Sequence, residues 1–224
     1  MDLDTFNHDL LECQLCPRLV AWREQVAREK RRSYKDQPYW GKPVPGFGDP
    51  HARIFIVGLA PGAHGSNRTG RQFTGDASGD FFYPALYRAG LANQPNATSR
   101  DDGLTLYNVY TAPVCRCAPP DNKPTALEMA QCQPYLQAEL EFIHPEVIVV
   151  LGRIAFESIL RIYSLRDKSW KFSHNAVFEM EHGPSLVCSY HPSQQNTQTG
   201  RLTPAMFDLV WQTALALLND HRPG

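Results

Sequence analysis

The sequence predicts an α/β protein built on a parallel sheet that is covered by helices on both faces. Three observations lead there. Residues 54–57 (Ile-Phe-Ile-Val) and 147–151 (Val-Ile-Val-Val-Leu) are uninterrupted apolar runs, the pattern of parallel strands buried on both sides. Segments of helical periodicity separate the strand candidates, as right-handed crossovers between parallel strands require. Each strand candidate also runs into a polar or glycine-rich loop, where ligands bind in such folds.

The elements follow in order. Residues 4 to about 32 read as helical, with Phe6, Leu10, Leu11, Leu15, Leu19, Trp22 and Val26 recurring on one face. Pro17 breaks this stretch into two pieces around Cys13-x-x-Cys16. Residues 37–50 contain Pro38, Gly41, Pro43, Pro45, Gly46, Gly48 and Pro50, and read as a loop wrapping the domain. The first strand, 54–57, ends in Gly58-Leu59-Ala60-Pro61-Gly62, and a helix is expected over 79–88. A second strand is expected over 105–110. Pro124 then opens a helix to about residue 142, with Leu127, Ala130, Leu136 and Leu140 on its inner face. The third strand, 147–151, meets Gly152 and a helix over 153–162. The fourth strand, 185–190, runs into His191-Pro192-Ser193. The last helix spans 204–219 and offers Phe207, Leu209, Val210, Leu215 and Leu218 for packing.

At 224 residues the chain is expected to be one domain, residues 1–50 being an N-terminal helical and loop extension. A content of 42% apolar and 11% aromatic residues suits a globular core. No apolar run is long enough to cross a membrane. The start, Met1-Asp2-Leu3-Asp4, lacks the basic-then-apolar order of a secretory signal, so a cytoplasmic, reducing setting is expected. The net charge of -1 gives no global argument for a polyanionic partner. Arg23, Arg28, Lys30, Arg31, Arg32 and Lys35 nonetheless crowd one stretch. A solvated helix end is the commoner meaning of such a run; a local phosphate-contacting patch is the other.

Six cysteines need an explanation other than disulfides in a reducing compartment. Cys13-x2-Cys16 and Cys117-x14-Cys132 supply four thiolates in two distant pairs, enough for one tetrahedral zinc or the four corners of an iron–sulfur cluster. Spacing does not separate these two, and inert buried cysteines are the plain alternative. A metal there would tie the N-terminal extension to the domain body. Cys188, inside an apolar strand, reads as core. Cys115 competes with Cys117 for one ligand position.

The loops after the strands carry the remaining chemistry. Residues 58–71 are long, polar and glycine-rich, but lack the Gly-Lys-Ser/Thr ending of a P-loop and the spacing of a dinucleotide site, which argues against a nucleotide cofactor. Phe73 and Asp76 follow; such residues alone are usually core and helix cap. Residues 116–124 form a rigid Pro-Pro turn that sets Asn122 beside Lys123. His191 stands at a strand end before a flexible polar tip. A single histidine of this kind is usually structural, but four polar strand-end loops together favour a site.

Gly58-Leu59-Ala60-Pro61-Gly62-Ala63-His64-Gly65, the Cys-Ala-Pro-Pro-x-Asn-Lys-Pro segment, the four cysteines and His191-Pro192-Ser193 together resemble the uracil-DNA glycosylase superfamily, and most closely its iron–sulfur family 5, the UDGb type. The resemblance runs from Cys13 to the final helix. It implies a three-layer α/β/α sandwich around a four-stranded parallel sheet, and a [4Fe–4S] cluster on Cys13, Cys16, Cys117 and Cys132. It implies a base-excision enzyme acting as a monomer on DNA containing uracil or other deaminated bases, associated with the nucleoid if the source is prokaryotic. It matches Phe73 to the aromatic that stacks on the extruded base and His191 to the histidine facing the base carbonyl. Gly58, Ala60, Gly62, Ala63 and His64 form the first motif around the base, and Ser193, Gln194 and Gln195 the loop that enters the duplex.

One departure from the family pattern matters. Related families carry Asp, Asn or Glu in the first motif to orient the attacking water, where this chain has Leu59 and Ala60. Asp76 is therefore the candidate for that role, with Asn122 assisting. A pocket with few fixed polar readers discriminates poorly, so hypoxanthine and xanthine are expected substrates besides uracil. The competing readings are a metal-stapled nucleic-acid-binding module without activity and a nucleotide-cofactor enzyme.

Overall fold

The structure, a computed structural model, describes residues 2–165 and 169–220. Helix α1, Leu3–Leu11, is capped by Asp2, whose carboxylate accepts the Thr5 amide at 2.8 Å. Helix α2, Pro17–Glu29, starts with proline in its first turn, where no amide hydrogen is missed. The break between them falls at Cys13–Cys16, as expected. Strand β2, Ile54–Gly58, leads through the short α3, Ser66–Thr69, to α4, Ala77–Arg88. Then follow β3, Val109–Pro113, α5, Ala126–Ile143, β4, Val147–Leu151, and α6, Arg153–Ile162. Strand β6, Ser185–Ser189, α7, Gln194–Gln198, and α8, Pro204–Asp220, complete the order. Two short strands, β1 at Phe47–Gly48 and β5 at Val177–Phe178, flank the rest.

The sheet order is β1-β3-β2-β4-β6-β5. The four inner strands are parallel, and β1 and β5 pair antiparallel at the two edges. The expected four-stranded parallel sheet is thus corrected to a mixed sheet of six. Both edge strands are two residues long and carry no periodic signal. In β1 a Cβ at Gly48 would lie 2.2 Å from the Val109 carbonyl, so the pairing depends on a glycine that reads, in sequence, as loop.

Every residue of the four inner strands is buried, which is why β2 and β4 read as apolar runs rather than alternating ones, while β3 and β6 also bury Thr111, Ser185 and Ser189. Alternate residues feed two cores. Ile54, Ile56, Val147, Val149 and Val187 pack with Phe82, Leu86, Phe207 and Trp211 of α4 and α8. Phe55, Val57, Ile148, Val150 and Cys188 pack with Leu136, Leu140, Phe156 and Ile159 of α5 and α6 on the other face. The chain leaves β2 for β3 on one side and returns to β4 on the other. The switch point of the sheet therefore lies between β2 and β4.

Other expectations need correction. The second strand is Val109–Pro113, not 105–110, because Asn108 adopts φ +57 and turns the chain just before it. Helix α5 begins at Ala126, after a capping box between Thr125 and Glu128. Its inner face is Cys132, Leu136, Glu139, Leu140 and Ile143, while Leu127 is 68% exposed and Ala130 is exposed. In α8, Trp211 is buried and Leu209 faces out. The tip after Ser193, read as a flexible loop, is the helix α7.

The aromatic group of Phe82, Phe207 and Trp211 locks α4 against α8, with ring centroids 5.1–6.3 Å apart. Phe207→Ala removes a fully buried ring and is expected to cost about 3–5 kcal/mol. Chemical denaturation of the variant measures it; a loss under about 1 kcal/mol, below the usual cost of core truncation, would contradict this packing.

Candidate functional site

Phe73 follows the first turn after α3 and is held at φ +49, a conformation that costs an aromatic residue about 1–3 kcal/mol. The reward is position. Its ring stacks on Phe82 at 4.4 Å and faces His191 at 6.0 Å, over the carboxyl end of β2. A Cβ at Gly58 would lie 3.2 Å from the tip of this ring, so glycine leaves the room it occupies. His191 follows β6 and lies over Gly152, at the end of β4. Phe73, Gly58, Gly152 and His191 thus converge on the switch point of the sheet.

Asp76 caps α4. Its Oδ1 accepts the amides of Ser78 and Gly79 at 3.0 and 3.1 Å. Its Oδ2 points at the first motif, where a Cβ on Gly65 would come within 1.8 Å of it. Only glycine permits this approach. Burial raises the carboxyl pKa above its ordinary value, against the opposing pull of the two amides and of Arg68. Burial lowers the His191 pKa to about 4, so its imidazole is neutral at physiological pH.

His64 receives a different partner. Its Nδ1 lies 3.0 Å from the Tyr39 hydroxyl, and burial together with Arg31 and Arg68 lowers its pKa. Arg31 therefore stands beside the first motif, and Arg28, Arg32 and Lys35 stay exposed near it in sequence. Arg23 does not belong to this patch. It is only 3% exposed, a correction to its reading as part of a solvated run.

The other expected site residues divide. Gly62 accepts the amides of Gly65 and Asn67, which shapes the loop around Ala63. Ser193 precedes α7, and Gln194 and Gln195 are exposed on its first turn. Asn122 is exposed on the 3-10 turn Pro120–Asn122, which Arg18 ties to α2 through the Lys123 carbonyl. Among the described residues no bond joins Asn122 to Asp76, Phe73 or His191. Arg68 was not singled out from the sequence and proves central. Its guanidinium bonds the carbonyls of His64 and Gly75 and the Gln37 side chain, and lies 4.0 Å over the Tyr34 ring. It thereby pins the first motif to the turn before Asp76. Nothing in a glycine-rich polar stretch distinguishes such an arginine from a solvated one.

None of the six cysteines is in a disulfide. Cys16 and Cys117 pack together around Leu19, and Cys13 and Cys132 are close enough to act on both electrostatically. Arg23 donates to the Cys117 sulfur at 2.9 Å, and the Arg116 amide points at the Cys132 sulfur at 3.3 Å. Burial pushes the thiols of Cys16 and Cys117 up to about 11 and about 12. Among the described residues no three metal-ligating side chains are already arranged around a metal ion. Four cysteine sulfurs nonetheless suit a thiolate-bound group, and two of them, on Cys117 and Cys132, already face N–H donors, while the Cys16 thiol donates to Gln131 Oε1 at 3.0 Å. Cys115 is fully buried behind it, in the same apolar core as Val114, Leu136 and Cys188. A cleft of about 400 Å³ lined by Leu140, His144, Tyr163 and Pro184 opens at the opposite, amino end of β4 and β6 and shares no residue with either site.

Fold and site define a doubly wound α/β domain whose polar groups gather at the sheet's switch point. Comparison with known proteins gives the particular family. A model of the uracil DNA glycosylase superfamily matches residues 45–215. The chain is 54% identical over 209 residues to a type-5 uracil-DNA glycosylase of Thermus thermophilus, covering 92% of this chain and 94% of that one. It is 46% identical to a type-5 uracil-DNA glycosylase of Pyrobaculum aerophilum, over 95% and 92% of the two chains. A type-4 uracil-DNA glycosylase of Archaeoglobus fulgidus is 33% identical over 67% of this chain and 70% of that one. The chain belongs to the uracil-DNA glycosylase superfamily.

The His191 environment sets a pH test. Between its ordinary value of 6.5 and about 4 the unfolded chain binds a proton that the native chain refuses. This group therefore makes stability fall as pH drops through that window. The His191 ring resonances are expected to titrate with a midpoint near pH 4, and His191→Asn is expected to flatten the acid-side stability curve between 6.5 and 4. An NMR midpoint near 6.5 would show the ring open to water.

Proposed function

We propose that the protein is a uracil-DNA glycosylase of base-excision repair, a monofunctional hydrolase of the N-glycosidic bond, and that it acts as a monomer on uracil and other deaminated bases in DNA. The observation that carries this reading is the opposed pair at the switch point: neutral His191 across from Phe73, and Asp76 with one oxygen unbonded. Family membership supplies the reaction class.

A base inside a duplex must be flipped out before its sugar bond can be reached. The exposed first turn of α7, with Ser193, Gln194 and Gln195, is suited to fill the vacated stack. Phe73 offers its ring face to the base, and the space left by Gly58 and the Gly62–Ala63 turn bounds the pocket. The exposed Arg31, beside His64, and its exposed sequence neighbours Arg28, Arg32 and Lys35 are available to meet phosphates.

When the glycosidic bond breaks, its electron pair goes to the base and the sugar carries positive charge. The neutral His191 N–H stabilises the developing base oxyanion; one preorganised donor contributes about 2.7–4 kcal/mol. The free Asp76 oxygen stabilises the sugar cation and orients a water. The water oxygen bonds the anomeric carbon and its proton passes to Asp76, while the base leaves as an anion. Asn122 assists at the rim of the site.

Leu59 and Ala60 offer the base no polar side chain, which favours acceptance of hypoxanthine and xanthine as well as uracil. Cys13, Cys16, Cys117 and Cys132 are the ligands of a [4Fe–4S] cluster in this reading. The packing of Cys117 against Cys16, with Cys115 turned into the core, supports that choice. The cluster supplies a structural staple between residues 1–50 and the rest of one domain. The proposed setting is the cytoplasm, at the nucleoid if the source is prokaryotic; among the described residues no helix is long and apolar enough to cross a membrane.

Single-turnover cleavage of duplexes carrying uracil, hypoxanthine or xanthine tests the reading. All three are expected to be cut, and refusal of everything but uracil would overturn the broad specificity. Asp76→Asn is expected to slow cleavage of uracil-containing DNA roughly 10²–10⁴-fold and His191→Ala roughly 10²–10³-fold, with binding retained. Wild-type rates in a folded Asp76→Asn variant would remove Asp76 from the mechanism.

A further inference from the structure

We propose that Arg23 is the buried counter-charge of the four-cysteine centre, and that its positive charge governs how firmly an iron–sulfur cluster is held there and how readily it accepts an electron. The inference rests on the reading of the four cysteines as cluster ligands.

Arg23 is 3% exposed, and a guanidinium cannot lose its proton to escape burial. Its surroundings must therefore supply negative charge or a full set of acceptors. The other buried arginines have them. Arg71 pairs with Asp102 through two bonds, and Arg116 pairs with Glu139. Arg68 has three oxygen acceptors and an aromatic face. Arg23 has no carboxylate partner among the described residues. Its two bonds go to the Cys117 sulfur at 2.9 Å and the Cys13 carbonyl at 3.3 Å, and its Nε has no partner.

Both acceptors belong to the four-cysteine centre. Arg23 lies seven residues after Cys16, about two turns along α2. A helical side chain leans towards the amino end, so the geometry of α2 directs the guanidinium back at the centre. A neutral thiol is a weak acceptor and does not compensate a buried cation. Four thiolates around a cluster bring net negative charge, and the position of Arg23 then becomes favourable. Charge and hydrogen bonds at cysteinyl sulfur also withdraw electron density, which raises the reduction potential.

The test compares the holoprotein with Arg23→Gln, which keeps a donor and removes the charge, and Arg23→Lys, which keeps the charge. Iron and sulfide per chain, loss of cluster absorbance in excess chelator, and the midpoint potential are measured. Far-UV circular dichroism checks the fold. Arg23→Gln is expected to lose its cluster about 10–100-fold faster, the usual cost of removing an outer partner of a metal site, and to have a lower potential. Arg23→Lys is expected to stay close to the unsubstituted protein in both. Retention and potential unchanged in Arg23→Gln would overturn the proposal, as would a lysine variant no better than the glutamine one. Should Arg23→Gln not accumulate folded, Arg23→Met, which keeps a buried unbranched stem and removes the charge, replaces it and is read by the same outcomes. Absence of iron and sulfide from the unsubstituted protein would instead refute the underlying reading of the cysteines.

Discussion

The carboxylate of Asp76 is bound through one oxygen and faces the first motif with the other, and much of the site is shaped around that arrangement. Oδ1 takes the first free amides of α4, which fixes the carboxyl in orientation. Oδ2 then projects to where Gly65 passes, and any side chain there would collide with it. Three residues earlier the chain accepts φ +49 at Phe73 so that the ring can reach the end of β2. Arg68 holds the two loops in this relation by bonding a carbonyl of each, His64 and Gly75. Cap, strained aromatic and buried arginine make one constraint, and it sets a ring and a carboxylate beside each other.

The cysteine side of the molecule is joined to this constraint through α2. Cys16 precedes that helix, and Arg23 on it reaches Cys117. The carbonyl of Arg23 also accepts the side-chain amide of Asn67, whose backbone amide bonds Gly62. A short path of hydrogen bonds therefore runs from a cysteine sulfur to the loop that carries the first motif. For the proposed cluster, which would move no electrons in glycosidic hydrolysis, holding α2 in place would be a sufficient role. Small loops with few apolar contacts need such ties, because a glycine-rich segment loses more conformational entropy than its own packing returns.

How much of this could be read from the sequence follows from which forces act locally. Strands β2 and β4 were legible because burial on both faces leaves only apolar residues there. The break at Cys13–Cys16 was legible because proline forbids the continuous helix. Strand β1 was not, since its pairing rests on the absence of a side chain at Gly48. Leu127 and Ala130 were misplaced because a single alanine or leucine does not define a face; the inner face of α5 includes Glu139, buried against Arg116 and Tyr110. Asp76 stood out in the sequence before a helix start, and His191 after a strand end. Their environments were not, because desolvation depends on what the rest of the chain brings over them. Arg23 and Arg68 show the same limit from the other side: arginines in polar stretches look solvated until the acceptors that bury them are located.

The apolar character of the first motif has a structural cause that bears on the proposed chemistry. After β2 ends at Gly58, the pairing with the neighbouring segment continues, Gly58 accepting the Val114 amide and Leu59 the Cys115 amide, each at 2.9 Å. Leu59 thus extends the sheet, and Ala60 packs on the α5–α6 core beside it. A water-orienting carboxylate at either position would project from this extended ladder, next to apolar side chains that cannot solvate it. At the cap of α4 the same carboxylate finds two amides and the favourable end of a helix, which oppose the rise in its pKa that burial causes. In the proposed reaction the acceptor sits there because the first motif is committed to holding the strand that leads to Cys115 and Cys117. The division of labour follows from the packing: one loop carries backbone towards the cysteines, and the next helix carries the charge.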